Sequence, residues 1–384
     1  MTKATRRRPP ILMQLLAVCI ATAAALGLAE ITLRLFVGPP QVMGALGFAD
    51  TNGNPISGAK EAIAKGLIVS VPGEKPRPRT MFKPAESFYL SYANNDVLNR
   101  DWLDSKGRVL NSINEYGLRE RPNIRPDKPA GERRIVCIGD SFTYGWGIPA
   151  EQGWVRLLEE DLRKDQGNVR TVNCGAAGTV CVDEYVAGLK SRFAKFQPDA
   201  VVMTLCLNDL VPSHGLSLIV PVESSGSRLL DMAKAAMGSS PINLDPEVDW
   251  VQMLLDMGQE EGTASGLYNH DKPFEAMWSQ GVPQASMREA KAWCDQREIP
   301  FLVVIWPFLQ GLGKGRHYPF QRLHDLVAED LKQANIPLLD VLPMLRETNS
   351  EDLWVTPADP HPNPLAQTLT LPAITKFVRS HINR

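Results

Sequence analysis

Apolar runs and one-faced apolar segments alternate along the chain from residue 134 to the C-terminus. Runs that are apolar throughout predict five buried strands, at 134–138, 169–174, 200–206, 301–306 and 336–339. Apolar side chains that recur on one face predict helices near 154–165, 182–193, 323–331 and 364–382, the last interrupted at Pro372. Strands buried on both faces and alternating with helices indicate a parallel sheet covered on both sides. The predicted fold class is therefore α/β, with a flavodoxin-like doubly wound parallel sheet.

The N-terminal pattern is different, because residues 9–29 carry no charge and follow a basic cluster at Lys3 and 6–8. As a helix, residues 11–29 span about 28 Å, close to the thickness of a bilayer core. The basic flank is expected to stay in the cytoplasm, which sends the rest of the chain outward. A cleaved signal peptide, cut near the alanines at 23–25, is the competing interpretation. We expect an uncleaved signal anchor with a single transmembrane helix.

These patterns divide the chain into three parts. Residues 1–37 form a basic tail and membrane anchor, residues 38–130 a linker and lead segment, and residues 131–384 the catalytic domain. The lead segment holds two candidate strands, at 87–90 and 109–114, that pack beside the domain. Residues 210–283 interrupt the alternation as an insertion after the third strand, with a short candidate helix at 250–257. The insertion is either a cap over the substrate or a surface elaboration.

Composition narrows the possible functions. The chain has 384 residues, 44% of them hydrophobic, and a formal net charge of −2, which argues against nucleic acid as a partner. The six cysteines are scattered, and no cysteine–histidine cluster has metal-ligand spacing. We therefore expect neither a metal nor an organic cofactor. Cys174 and Cys181 leave a disulfide open, because its formation depends on the compartment.

Polar residues follow the predicted strands at the points where those strands end. They are Asp140 and Ser141 after the first strand, Asn208 and Asp209 after the third, and Asp359 and His361 after the last; the second strand carries Asn173 near its end and is followed by Gly178. The carboxyl ends of parallel strands meet along one edge of a sheet, so these residues are expected to converge on one crevice. A hydroxyl, an imidazole, a carboxylate and hydrogen-bond donors are the groups that acyl transfer needs. The usual Gly-x-Ser-x-Gly elbow is absent, because Thr143 occupies the second glycine position.

The order of these motifs resembles the SGNH, or GDSL, hydrolase superfamily over residues 131–384. The motifs are Gly-Asp-Ser at 139–141, Asn-x-x-x-x-Gly at 173–178, Asn-Asp at 208–209 and Asp-x-His at 359–361. The anchor and the Ile-Asn-Glu-Tyr-Gly-Leu-Arg segment at 113–119 resemble bacterial membrane-anchored members. The resemblance implies an inner-membrane protein with a periplasmic catalytic domain.

The resemblance also implies a role for each site residue. Ser141 is the nucleophile, His361 the base and Asp359 the acid of a catalytic triad. The oxyanion hole consists of the backbone N–H groups of Ser141 and Gly178 and the side-chain amide of Asn208. Asp140 and Asp209 are expected to be structural hydrogen-bonding groups. The other five histidines, at 214, 270, 317, 324 and 381, are expected on the surface or in the insertion.

The spacing of the acid departs from many family members, which place it three residues before the histidine. Here that position is Ala358, and Asp359 lies two residues before His361. The shorter spacing resembles alginate-type O-acetyltransferase relatives. The chain is thus expected to be a serine esterase acting on O-acyl or O-acetyl groups, with a cell-envelope or exported polysaccharide as a candidate substrate. A polysaccharide O-acetyltransferase using the same site and a non-catalytic glycan-binding or assembly protein are the alternatives.

Overall fold

The N-terminal helix is the first element in the computed structural model, which describes residues 11–36, 46–56, 58–71, 80–92, 100–177, 181–210, 227, 229–230, 278, 281–316, 318, 320–357 and 359–382. Helix α1 is Ile11–Phe36. Its stretch Ala17–Leu35 is long and apolar enough to cross a membrane, and none of it is buried against the rest of the protein. A signal sequence near the N-terminus also satisfies this criterion of length and composition. The apolar N-terminal helix is therefore present, while the uncleaved anchor stays a prediction.

The lead segment folds into two small antiparallel sheets. The elements are β1 (Leu46–Ala49), β2 (Pro55–Ile56), α2 (Gly58–Ala64), β3 (Ile68–Ser70), β4 (Thr80–Phe82), β5 (Ser87–Tyr92) and β6 (Arg108–Ser112). Four strands pair in the order β2-β1-β5-β6, and two more pair separately as β3-β4. Alternate residues of β5 are buried, including Phe88 and Leu90, so this sheet has one face in its own core. The two strands predicted here correspond to β5 and β6.

The larger part of the chain is built on a five-stranded parallel sheet. Its strands are β7 (Arg133–Gly139), β8 (Val169–Gly175), β9 (Ala200–Cys206), β10 (Phe301–Trp306) and β11 (Leu338–Asp340). They lie in the order β8-β7-β9-β10-β11, which is the flavodoxin-like order 2-1-3-4-5. Strands β7, β9 and β10 are almost entirely buried, as their continuous apolar runs require. The predicted α/β class is confirmed, with the fifth strand beginning at Leu338 rather than at 336.

The helices of this part follow the strands in alternation. They are α3 (Ser141–Tyr144), α4 (Trp154–Gln166), α5 (Val182–Gly188, continued by a π turn at Leu189–Phe193), α6 (Val282–Asp295), α7 (Gln321–Gln333), α8 (Leu342–Leu345), α9 (Ser350–Leu353) and α10 (Pro364–Ile382). A hairpin of β12 (Trp354–Thr356) and β13 (Asp359–Pro362) precedes α10. The predicted insertion at 210–283 and its candidate helix at 250–257 lie almost wholly outside the described residues.

Two local predictions are wrong. Helix α10 is continuous through Pro372, because buried residues on both sides of it, Thr370 and Ile374, pack the whole helix on the domain. His324 is not on the surface but only 1% exposed. Its Nδ1 lies 3.0 Å from Oδ2 of Asp340, and this carboxylate partner makes burial of the imidazole possible.

The lead segment is tied to the loop that follows α3, to α4 and to β8. The guanidinium of Arg119, 2% exposed, donates to the carbonyls of Gly145 and Ile148, the latter at 2.6 Å. The neighbouring Glu120 pairs with Arg156 and accepts a hydrogen bond from the backbone N–H of Asn173 at 2.8 Å. These buried contacts hold the lead segment against β8 and the loop after α3, close to the carboxyl edge of the sheet.

Candidate active site

Ser141 is the first residue of α3, directly after β7. The preceding Asp140 caps the helix, and its carboxylate accepts the N–H of Phe142 at 2.9 Å. Gly139 makes the sharp passage from strand to helix possible, because a Cβ there would lie 2.3 Å from Oγ1 of Thr143. Ser141 itself is half-buried. A rigid, capped turn therefore presents its hydroxyl at the carboxyl edge of the sheet.

His361 and Asp359 lie on β13, with one residue between them. Alternate residues of a strand point to the same side, so both side chains face α3. Nε2 of His361 lies 2.8 Å from Oγ of Ser141, and Nδ1 lies 2.5 Å from Oδ1 of Asp359. The extended conformation thus explains how an acid only two residues before the histidine reaches the imidazole.

The position of β13 is fixed by the residue that follows it. The side-chain amide of Asn363 donates to the carbonyls of Asp352 at 2.8 Å and Trp354 at 3.0 Å. Its Oδ1 accepts the N–H of Ala366 at 3.1 Å, which caps α10. The Pro-Asn that follows the histidine in the sequence is therefore a structural anchor for the loop.

The charges of the site support a histidine held by an ionised acid. Burial lowers the pKa of His361, but the charge of Asp359 and its hydrogen bond outweigh burial, and the net pKa lies above the ordinary 6.5. Burial raises the pKa of Asp359, and the charge of His361 with the hydrogen bonds from His361 and Tyr92 turns the net shift downward. The imidazole side chain is 24% exposed. The rings of Phe142 and Trp146 flank it, with centroids at 5.8 and 6.0 Å.

Sequence reasoning missed one member of this cluster. The hydroxyl of Tyr92, the last residue of β5, donates to Oδ2 of Asp359 at 2.8 Å. The two residues are 267 positions apart, and Tyr92 belongs to no motif. The only sequence signal is its place at the end of the alternating segment of β5, which predicts burial but no partner.

Two of the three predicted oxyanion-hole residues, Ser141 and Asn208, belong to the described part of the chain. Gly178 lies outside the described residues. The backbone of Asn208 belongs to a 3₁₀ turn, Leu207–Leu210, directly after β9, and its side chain is likewise outside the description. The N–H of Ser141 lies in the first turn of α3, where helical N–H groups have no intrahelical partner.

Two buried carboxylates, Asp140 and Asp209, follow β7 and β9. Asp209 accepts the hydroxyl of Tyr185 at 2.6 Å and the N–H of Cys206 at 3.0 Å. Burial raises the pKa of Asp140 to about 6 and that of Asp209 well above its ordinary range.

Cys174 and Cys181 are both buried, and no disulfide joins any of the six cysteines. Among the residues that the structure describes, no group of three or more His, Cys, Asp or Glu side chains is arranged to hold a metal ion.

Comparison with known proteins gives one family. Residues 137–369 match the model of the GDSL-like lipase/acylhydrolase family. The esterase TesA of Pseudomonas aeruginosa is 30% identical over 107 residues, which are 28% of this chain and 50% of that protein. The chain therefore spans about half the length of the curated relative that it matches.

The solved structures that resemble this chain have lower sequence identity to it. The esterase EstA of Pseudoalteromonas sp. is 14% identical, with a TM-score of 0.39 over 66% of this chain and 100% of that one. A catalytic mutant of the acetylxylan esterase Axe2 of Geobacillus stearothermophilus is also 14% identical, with a TM-score of 0.39 over 67% of this chain and 96% of that one. Assignment to a family therefore rests on the family model, which matches well over half of the chain.

Proposed function

Because the chain belongs to the GDSL-like lipase/acylhydrolase family, we propose that it is a serine esterase whose catalytic triad is Ser141, His361 and Asp359. The proposal is supported by two consecutive hydrogen bonds. One joins Oγ of Ser141 to Nε2 of His361, and the other joins Nδ1 of His361 to Oδ1 of Asp359. A serine hydroxyl is a weak nucleophile until a neighbouring base takes its proton. This arrangement supplies the base and an acid that orients it.

The proposed reaction is an acyl transfer through Ser141. Nε2 of His361 takes the proton of Ser141 as Oγ attacks the ester carbonyl, and Asp359 stabilises the imidazolium that forms. The imidazolium then gives its proton to the departing alcohol, and the acyl group remains on Oγ of Ser141. Water, activated by the same imidazole, releases the acid and restores the hydroxyl.

The oxyanion of the tetrahedral intermediate needs donors aimed at it. We assign this role to the backbone N–H groups of Ser141 and Gly178 and the side-chain amide of Asn208. In support, Ser141 and Asn208 follow β7 and β9, the neighbouring strands at which the order of the sheet reverses.

Asn208→Ala is expected to lower kcat about 10²- to 10³-fold with little change in KM, as for the loss of one oxyanion donor. Steady-state hydrolysis of 4-nitrophenyl acetate by the full-length chain measures both constants. The matched control is Asn335→Ala, in the turn after α7. A change confined to KM would remove Asn208 from the oxyanion hole.

We further propose that the substrate is an O-acyl group, represented by an O-acetyl group, of a cell-envelope or exported polysaccharide.

 The proposal rests on the family and on helix α1, which is long enough to anchor the chain beside the envelope. We place the anchor in the bacterial inner membrane and the triad in the periplasm, because the basic residues at 6–8 favour a cytoplasmic N-terminus.

A reporter fused after residue 384 tests this topology. Alkaline phosphatase, which is active only outside the cytoplasm, is expected to be active there, and the fusion is expected to sediment with membranes. β-Galactosidase at the same position is the matched control and should be inactive. The reverse pattern would contradict the orientation inferred from the basic cluster, and a soluble periplasmic fusion would indicate a cleaved signal peptide.

A polysaccharide O-acetyltransferase is the second candidate, favoured by the two-residue spacing of Asp359 and His361 on β13. The two candidates differ in what accepts the acyl group from Ser141. Acetylated and unacetylated glycans added to the full-length chain separate them. A transferase consumes its acyl donor faster when an acceptor sugar is present and yields a new sugar ester, whereas an esterase releases free acid at a rate independent of the acceptor.

A non-catalytic glycan-binding or assembly protein is the remaining alternative. A fluorophosphonate probe distinguishes it, because the probe reacts with an activated serine and not with an ordinary one. We expect mass spectrometry to find the adduct on Ser141. Absence of labelling together with absence of ester turnover would refute the proposal that the protein is an enzyme.

A further inference from the structure

The outer oxygen of Asp359 is held by the lead segment. Oδ1 of this carboxylate faces His361, while Oδ2 accepts the hydroxyl of Tyr92 at 2.8 Å. Tyr92 lies on β5 of the N-terminal sheet, outside the residues 137–369 that match the family. A residue from a separate sheet thus completes the hydrogen bonds of the proposed acid.

The ring of Tyr92 is fixed by its surroundings. It is 7% exposed and forms a small buried cluster with Ile148, from the loop after α3, and Val355, from β12. Gly147 leaves room for the hydroxyl, since a Cβ at that position would lie 2.4 Å from the Tyr92 oxygen and 2.7 Å from Val355. The direction of the hydroxyl is therefore determined by packing.

We propose that Tyr92 is a positioning residue that holds the carboxylate of Asp359 in the orientation required by His361. This inference rests on the proposed function, because it assumes that Asp359 orients the base. A carboxylate bound through one oxygen can rotate about its Cβ–Cγ bond, whereas a second hydrogen bond on the other oxygen fixes its plane. Fixing the plane keeps Oδ1 in line with Nδ1 of His361 and reduces the reorganisation needed when the imidazolium forms.

Toward the ionised carboxylate of Asp359, the hydroxyl of Tyr92 can serve only as a donor. Burial, followed by the charge of Asp359, raises its pKa well above the ordinary value, while the charge of Arg119 opposes the shift. The hydroxyl therefore stays protonated at the neutral and mildly alkaline pH at which neutral His361 would act as the base. The pKa of His361 is raised by the charge of Asp359, which it contacts, and to a smaller degree by the charge of Asp140. Tyr92 acts on the imidazole through Asp359.

Tyr92→Phe in the full-length chain tests the role. Turnover of 4-nitrophenyl acetate is expected to lose about 10- to 100-fold in kcat, the size of one hydrogen bond to a charged group, with KM within about twofold of wild type. Tyr89→Phe is the matched control on the same strand. The Tyr89 ring lies on the other face of β5, with the Arg108 guanidinium 4.1 Å from its centroid. Loss of the Tyr89 hydroxyl should therefore leave kcat unchanged.

A double-mutant cycle with Asp359→Ala separates positioning from general structural support. If Tyr92 acts through Asp359, the Tyr92→Phe change costs less than about twofold once the carboxylate is gone. The rate of fluorophosphonate labelling provides the same comparison where turnover is slow. Equal losses in both backgrounds, or full kcat in the single variant, would overturn the positioning role.

The outcomes also separate this inference from the proposed function. A wild-type chain that neither hydrolyses the ester nor reacts with the probe would refute both. An active wild type with an unaffected Tyr92→Phe variant would refute the role of Tyr92 alone and leave the esterase intact.

Discussion

Ser141→Ala is expected to abolish ester turnover and fluorophosphonate labelling while leaving the fold unchanged. Loss of the serine nucleophile in a triad costs on the order of 10⁶-fold in kcat, since the oxyanion hole and substrate binding alone supply only a small residual rate. The fold should tolerate the change because the side chain is small and half-buried and Asp140 continues to cap α3.

The experiment compares the full-length variant with wild type by 4-nitrophenyl acetate hydrolysis, probe labelling and thermal unfolding. Ser191→Ala, an exposed serine in the π turn after α5, is the matched control and should keep both activity and labelling. Wild-type turnover by Ser141→Ala with an unchanged unfolding midpoint would exclude Ser141 as the nucleophile.

Asp359→Asn is expected to reduce kcat by about 10⁴-fold, because an amide favours the wrong tautomer of the imidazole and no longer stabilises the imidazolium. The reaction needs neutral His361, so activity is lost as pH falls through the pKa of the imidazole. In the wild type this acidic limb lies above pH 6.5, because Asp359 raises that pKa against the effect of burial. Without the charge, burial dominates and the limb moves to lower pH.

The measurement is kcat/KM against pH for wild type and variant. Asp340→Asn is the matched control, since Asp340 also accepts from a buried histidine, His324, at 3.0 Å, but takes no part in the proposed reaction. It should leave both the rate and the acidic limb unchanged. Near-normal rates with an unmoved limb in Asp359→Asn would mean that Ser141 and His361 act as a dyad.

The sheet was predictable because its strands are buried on both faces. The run at 200–206 is apolar except for Thr204, and the structure buries every one of its residues in β9. Burial of that kind leaves a direct trace in the sequence. The polar residues after the strands were likewise predicted to meet at one edge of the sheet. Ser141, His361 and Asp359 do lie within hydrogen-bonding distance there.

The parts that could not be predicted depend on contacts between distant segments. Pro372 has the local chemistry of a helix breaker, yet packing on both sides of it keeps α10 continuous. His324 has no neighbour in the sequence that reveals Asp340 as its partner. The hydrogen bond from Tyr92 to Asp359 joins residues 267 positions apart in two different sheets, and no periodicity carries that information.

The separation of these residues along the chain also governs when the site can exist. During synthesis Tyr92 emerges first and Ser141 soon afterwards, whereas β13 and the final helix α10 come at the end. Contacts that close such long loops form late in folding. A nascent chain halted before residue 359 would therefore carry a serine with no base, and its hydroxyl would have ordinary reactivity. In the proposed periplasmic topology, activity would then begin only after β13 and α10 have followed the rest of the domain across the membrane.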